Sequence, residues 1–159
     1  MSKAGKERAM AGETERQIYR SLREGQTRYT YFLLAAAGAG IALAVNQTHN
    51  SPLSPLQIPL AAAVLSWGLS FFFGCKHLGY VFAALSWNIT LLQVESGTHP
   101  LVGEHPQLAP EACPGIQEAM ERHAIKASRW GNRQFRFLLA GGILYVAWHV
   151  LEMYARTGH

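Results

Sequence analysis

Five cations recur at alternating spacings of four and three residues, which places them on one face of a helix. They are Arg122, Lys126, Arg129, Arg133 and Arg136, and we call them the basic stripe. At about 1.5 Å per residue, the stripe would run for about 21 Å. Such a row attracts anions, so it could face soluble anions, an acidic partner or nucleic acid. It also fits the solvated face of a helix that enters a membrane from its positive side.

Two candidate boundary residues, Lys76 and His77, interrupt a long apolar stretch. Histidine titrates near neutral pH, so His77 could sense pH or line a pore, although a hydrogen-bonded histidine at a membrane interface is the favoured interpretation. His149 and Glu152 lie three residues apart in another apolar stretch. Two ligands do not make a metal site, so this pair is better explained as polar anchoring at the level of lipid headgroups.

Signatures of catalysis and of cofactor binding are missing from the sequence. It contains no Gly-rich phosphate loop, no nucleophile elbow and no HExxH motif. The two cysteines, Cys75 and Cys113, lack metal-site spacing and are too few for a disulfide framework. We therefore expect no enzymatic activity, no cofactor and no metal. Because the first two predicted spans carry no acid or base before Lys76, an ion-coupled transporter is also disfavoured.

The elements that position these residues are predicted to be helices that cross a membrane. Charged residues make up only 15% of the chain, whereas a soluble domain carries about a quarter. The predicted fold class is an all-α integral membrane protein with three transmembrane helices and long cytoplasmic helical extensions that form a bundle. The predicted order is a cytoplasmic amphipathic helix (1–28), a first span (29–46), an outside loop (47–57), a second span continuing as a cytoplasmic helix (58–96), a cytoplasmic loop (97–113), a basic cytoplasmic helix (114–136), a third span (137–155) and an outside tail (156–159).

Residues 78–94 allow two interpretations. This apolar stretch could continue the second span into the cytoplasm, or it could be a fourth span after a tight hairpin at Lys76 and His77. With three spans, all Lys and Arg residues except Arg156 lie inside, whereas a fourth span would move the basic stripe outside. The positive-inside rule therefore favours the continuous helix, with the N-terminus in the cytoplasm and the C-terminus outside.

The three cytoplasmic helical segments are expected to pack together, but the long apolar cytoplasmic helix and the small-residue faces of the spans exceed what one chain buries easily. One face of the 78–94 stretch carries Leu78, Val81, Phe82, Leu85, Ile89 and Leu92. The basic helix carries a coiled-coil-like seam on another face, formed by Ile116, Met120, His123, Ala127, Trp130 and Gln134. In the first span, small residues four apart, such as Gly40 and Ala44, permit close approach of a second helix in lipid. We therefore expect a homo-oligomer.

Two functions follow from this layout. The first is a homo-oligomeric pore or channel of the inner (plasma) membrane, in which the basic stripes form an electropositive cytoplasmic vestibule. In overall layout, the chain is similar to small membrane effectors of bacterial defence systems, which pair a few spans with helical cytoplasmic extensions. The alternative is a non-conducting adaptor, whose basic helix recruits a soluble acidic partner or nucleic acid. Membrane lipids are partners in both cases, and the lack of a nucleic-acid-binding motif disfavours nucleic acid.

Overall fold

The computed structural model describes residues 3–48, 55–102 and 106–157, and these form three long helices. Helix α1 spans Lys3–Thr48, α2 spans Ile58–Glu95 and α3 spans Ala109–Thr157, with short 3-10 turns at Pro55–Gln57 and Pro106–Leu108. These ranges contain no strand, so the prediction of an all-helical chain is confirmed for the described residues. Each of the three helices is long and apolar enough to cross a membrane.

Helix α1 joins two predicted elements into one. The helix predicted at 1–28 and the span predicted at 29–46 run together up to Thr48, whose hydroxyl donates to the Ala44 carbonyl at 2.9 Å. No proline occurs before residue 52, so nothing in this stretch forces a helix to stop. The apolar stripe expected in the first 28 residues involves Ile18 and Leu22, whose side chains lie outside the described part. Residues 49–54 of the predicted outside loop also lie outside it.

Helix α2 runs through Lys76 and His77 without a break, so no hairpin interrupts it there. The only turn-forming residues nearby, Gly74 and Gly79, remain helical. The helix ends where Gly97 adopts a φ of +69°, a left-handed conformation that glycine enters at little cost. The amide of Thr98 then donates back to the Gln93 carbonyl at 2.9 Å, which satisfies one of the last helical carbonyls.

Helix α3 begins at Ala109, so the expectation that a loop extends to residue 113 and that Pro114 opens the helix is wrong. Proline suits the first turn because its missing N–H would have no partner there. Pro110 meets that condition, with Glu111 beside it in the electropositive first turn. Pro114 lies inside the helix, where its missing N–H removes one backbone hydrogen bond. The helix then continues to Thr157, so residues 156 and 157 of the predicted tail are helical.

Trp67 holds the three helices together in the apolar half of the molecule. Its indole contacts Gly40 of α1 and Gly141 of α3, and its Nε1–H donates to the Leu138 carbonyl at 3.3 Å. A Cβ added at Gly141 would stand 2.5 Å from the indole, and one added at Gly40 would stand 2.9 Å from it. The remaining buried members of this core are Ala37, Ala44, Leu60, Ala63 and Trp148.

The seam predicted on α3 faces α2. His123 packs against Tyr80 with ring centroids 5.9 Å apart, and Trp130 packs against Phe73 at 5.3 Å. Gln134, a polar member of the seam, is only 1% exposed. The seam therefore joins α2 and α3 into an antiparallel hairpin, and the basic stripe lies on a flank of α3 beside this contact, with Lys126 over the Tyr80 ring of α2.

Candidate functional site

The basic stripe lies on the exposed side of α3, and each of its five cations is exposed. Within the described residues the stripe contains one ion pair, in which Arg122 Nη1 lies 3.7 Å from Glu118 Oε1. Both side chains of this pair are well exposed, and such pairs contribute at most about 0.5 kcal/mol on a helix. Most of the positive charge along the stripe is therefore uncompensated by the described part of the chain.

Aromatic rings support three cations on the hairpin. The pairs, with the distance from cation to ring centroid, are Arg133 over Trp130 (4.8 Å), Lys126 over Tyr80 (5.8 Å) and Lys76 over Phe72 (5.8 Å). A cation over an exposed ring gains about 0.5–1 kcal/mol. Because Tyr80 belongs to α2, Lys126 reaches across the hairpin. These contacts hold long side chains close to the helical surface.

His77 lies apart from the basic stripe, between α2 and α3. Its Nδ1 is 2.7 Å from the Ala127 carbonyl oxygen, and its ring would stand 3.2 Å from a Cβ added at Gly131. A carbonyl oxygen can only accept, so Nδ1 carries the proton and Nε2 is the acceptor of the neutral ring. The two predicted boundary residues therefore have different surroundings. Lys76 is exposed, whereas His77 makes a hydrogen bond between α2 and α3.

An apolar row on α2 remains exposed. Phe82, Ile89 and Leu92 are 57%, 58% and 58% exposed, and we call these three residues the apolar row. Together with Leu78 and Leu85 they follow the alternating spacing of a coiled-coil seam. Leu78 and Leu85 are half-buried beside α1, so one chain covers only part of this face.

A groove of about 600 Å³ opens between the three helices, and its lining includes Thr30 of α1, His77 of α2 and Gln134 of α3. Most of its lining is apolar, and none of the described residues that line it is Lys, Arg, Asp or Glu. Gln134 is buried, and its Nε2 has no hydrogen-bond partner in the described part of the chain. Gln134 was predicted as a member of the seam, and the groove was not predicted. The available signal was an amide in a largely apolar seam.

The predicted pair His149 and Glu152 does not act as a unit in the structure. Glu152 Oε1 accepts from Arg156 Nη2 at 2.6 Å, and the His149 ring packs beside Trp148 with centroids 6.2 Å apart. Across residues 3–48, 55–102 and 106–157, no group of three or more potential metal ligands occurs. The Glu152 carboxylate is therefore paired with an arginine one helical turn away and not with His149.

No protein-family model, curated protein or solved structure matches this chain. Three features therefore remain as candidate functional surfaces, namely the basic stripe, the apolar row and the uncharged groove. All three lie on helices that also contain candidate membrane spans.

Proposed function

We propose that this chain is a homo-oligomeric pore or channel of the inner (plasma) membrane, whose basic stripes form an electropositive cytoplasmic vestibule. The observation that carries the proposal is that one hairpin presents both an uncovered apolar row and an uncovered basic stripe. The apolar row supplies a surface for other copies of the chain, and the stripe supplies a surface that concentrates anions. The layout similarity to membrane effectors of bacterial defence systems agrees with such a role.

One level across the three helices fits a membrane boundary. Thr30, His77 and Gln134 line the same groove, and each follows a cation of its own helix by one or two positions. Those cations are Arg28, Lys76 and Arg133. On one side of this level lie Arg122, Lys126 and Arg129 of the basic stripe, with Arg122 about 16 Å from Arg133 at the helical rise. Cations collect at cytoplasmic boundaries, so this side is proposed to be the cytoplasm.

The other side of this level has the surface that a lipid environment requires. Large apolar side chains are exposed on each of the three helices, among them Phe32 (67%), Leu65 (69%) and Ile143 (62%). Water would make this surface costly, whereas lipid tails cover it without cost. The buried core on this apolar side of the boundary consists mainly of small residues around Trp67, as expected for helices that approach closely in a membrane.

Lipid cannot cover the apolar row in this arrangement, because the row lies on the same side of the boundary as the basic stripe. Burying a large apolar side chain is worth about 1.5–3 kcal/mol. Three side chains that are slightly over half exposed therefore offer roughly 3–5 kcal/mol per chain if another copy covers them. Exposed small residues of α1, including Ala35, Ala39 and Ala42, offer a second contact surface in the membrane.

The first experiment measures the number of copies in the assembly. Native mass spectrometry of the detergent-purified chain should show a discrete ring-sized homo-oligomer of about five or more copies, because a pore needs a ring around its axis. Replacing Phe82, Ile89 and Leu92 together by Gln should dissociate it. The matched control is Trp87→Gln, which alters an exposed apolar residue of α2 outside the row. A wild-type monomer or dimer would contradict the pore proposal.

The second experiment measures ion conduction in planar bilayers. The double variant Arg129→Gln, Arg133→Gln should reduce the preference for anions, and the reversal potential in a salt gradient reports that preference directly. Arg156→Gln removes one cation from the other end of α3 and serves as the control. Unchanged currents and reversal potentials in the double variant would count against an electropositive vestibule.

The alternative function is a non-conducting adaptor that binds a soluble acidic partner through the basic stripe. The observation that favours it is the lack of carboxylates along most of the stripe, since one ion pair involves only Arg122. In that case the Arg129→Gln, Arg133→Gln variant should lose capture of an acidic partner while its oligomeric mass stays unchanged. Wild-type protein that conducts no ions would favour this alternative. If the partner is a nucleic acid, the binding affinity should fall steeply as the salt concentration rises.

A further inference from the structure

The buried amide of Gln134 is a polar group that the described chain leaves unsatisfied. Its Nε2 has no hydrogen-bond partner there, and the side chain lies against Gly74 and Leu34, which would leave no room for a Cβ at residue 74. A buried donor without a partner destabilises the folded chain. A ligand that supplies an acceptor would remove this cost. The Gln134 side chain also lines the groove, and rotation about its terminal torsion, which is broad, exchanges the positions of Nε2 and Oε1.

The groove offers a second polar group next to this amide. Because Nδ1 of His77 donates to the Ala127 carbonyl, Nε2 of the neutral ring is an acceptor. A ligand that pairs with both groups therefore carries an acceptor and a hydroxyl or amide donor. Between these polar positions the wall is apolar, and it includes Leu78, Val81 and Phe135.

Size and charge narrow the class of ligand further. A volume of about 600 Å³ lies within the range of about 300–1,000 Å³ that small-molecule sites occupy. The described lining contains no cation or carboxylate, and an unpaired charge would be costly to desolvate there. The basic stripe lies on a different side of α3 and does not line the groove.

We infer that the groove between α1, α2 and α3 binds an uncharged amphiphile with a carbonyl group. The carbonyl oxygen accepts from Gln134 Nε2–H, a hydroxyl or amide N–H donates to His77 Nε2, and the hydrocarbon part covers Leu78, Val81 and Phe135. Two sources provide this chemistry, namely a neutral single-chain lipid such as a monoacylglycerol and a water-soluble fatty amide. The inference concerns a single chain and does not depend on the proposed pore.

The test compares ligands that differ only in the carbonyl group. Binding of monooleoylglycerol, its ether analogue oleyl glyceryl ether and octanamide is measured by titration of the full chain in detergent, with native mass spectrometry as the readout. The ester should bind roughly three- to tenfold more tightly than the ether, as one recovered hydrogen bond allows. In Gln134→Leu this difference should disappear, while folding is preserved because an apolar side chain replaces a buried unsatisfied amide.

A second pair of variants tests the place of binding. Ala124→Phe should fill part of the groove and weaken both ester and ether, whereas Ala61→Phe adds the same bulk at an exposed α2 position outside the lining and should change neither. Tighter binding of octanamide than of the ester would assign a soluble source, and the reverse order would assign a lipid source. Equal affinity of ester and ether, no binding of any probe, or no effect of Ala124→Phe would each overturn the inference. The same spectra report oligomeric mass, so a ligand-bound monomer would reject the pore and leave this inference standing.

Discussion

Two adjacent glycines of α3 should respond in opposite directions to the same substitution. A Cβ at Gly141 would stand 2.5 Å from the Trp67 indole, whereas one at Gly142 would meet nothing within 4 Å. Alanine is favoured over glycine inside a helix by about 0.8–1 kcal/mol, and this gain applies at both positions. The change in unfolding free energy of Gly142→Ala therefore reports the gain in helix propensity alone. That of Gly141→Ala reports the same gain together with the cost of the clash with Trp67.

The clash at Gly141 cannot be relieved cheaply, because Trp67 is confined on its other side. A Cβ at Gly40 would stand 2.9 Å from the indole, and Nε1 is held by the Leu138 carbonyl at 3.3 Å. Overpacking of this kind costs about 1–3 kcal/mol. The two variants should therefore differ by that amount. At about 2–4 °C per kcal/mol for a chain of this size, their unfolding midpoints should lie about 2–12 °C apart.

Thermal unfolding of the purified protein in detergent, followed by tryptophan near-UV circular dichroism, measures both midpoints. Gly142→Ala should unfold at or above the wild-type temperature and Gly141→Ala clearly below that of Gly142→Ala. Adding Trp67→Leu to each variant should abolish the difference, because the ring that meets the new Cβ is gone. Equal midpoints in the presence of Trp67 would refute the close packing of Gly141 against the indole.

Two further predictions concern hydrogen bonds of unequal burial. Ser70 Oγ donates to the Gln134 carbonyl at 2.8 Å in a fully buried position, so Ser70→Ala should lower the free energy of unfolding by about 0.5–1.5 kcal/mol. Ser86→Ala, at an exposed position of α2, should have no measurable effect, and equal losses for both would argue against the buried bond. Glu152→Gln should cost less than about 1 kcal/mol despite the 2.6 Å distance, because the Arg156 side chain is 77% exposed. A loss of several kcal/mol in the same unfolding assay would show that this pair is structural.

The hairpin explains why the two candidate functions share one surface. Packing of the α3 seam on α2 leaves the basic stripe of α3 exposed, and the apolar row of α2 is also uncovered. Both proposed functions use the basic stripe, so conduction separates them better than any change in the stripe.

The sequence by itself determined the helices and their apolar parts. Hydropathy over about 20 residues and the lack of turn residues are local properties, so the three long helices and the continuity of α2 through Lys76 could be predicted. The spacing of four and three also identified the face of α3 that meets α2, because helical periodicity relates sequence to direction. The boundary at Pro114 was mispredicted because a second proline, Pro110, satisfies the same first-turn preference earlier in the chain.

Only the tertiary structure decided which small residues are closely packed and which buried polar residues lack a hydrogen-bond partner. Gly141 and Gly142 are identical in sequence terms, yet only Gly141 meets Trp67, because contact depends on how α2 and α3 are rotated against each other. In the sequence, Gln134 is only a polar position in the seam. Its amide is buried without a partner because α3 packs against α2 and α1 at this position. The groove beside it has walls from three helices that are distant in the chain. No local pattern records such a cavity, since its shape is set by the packing of all three helices together.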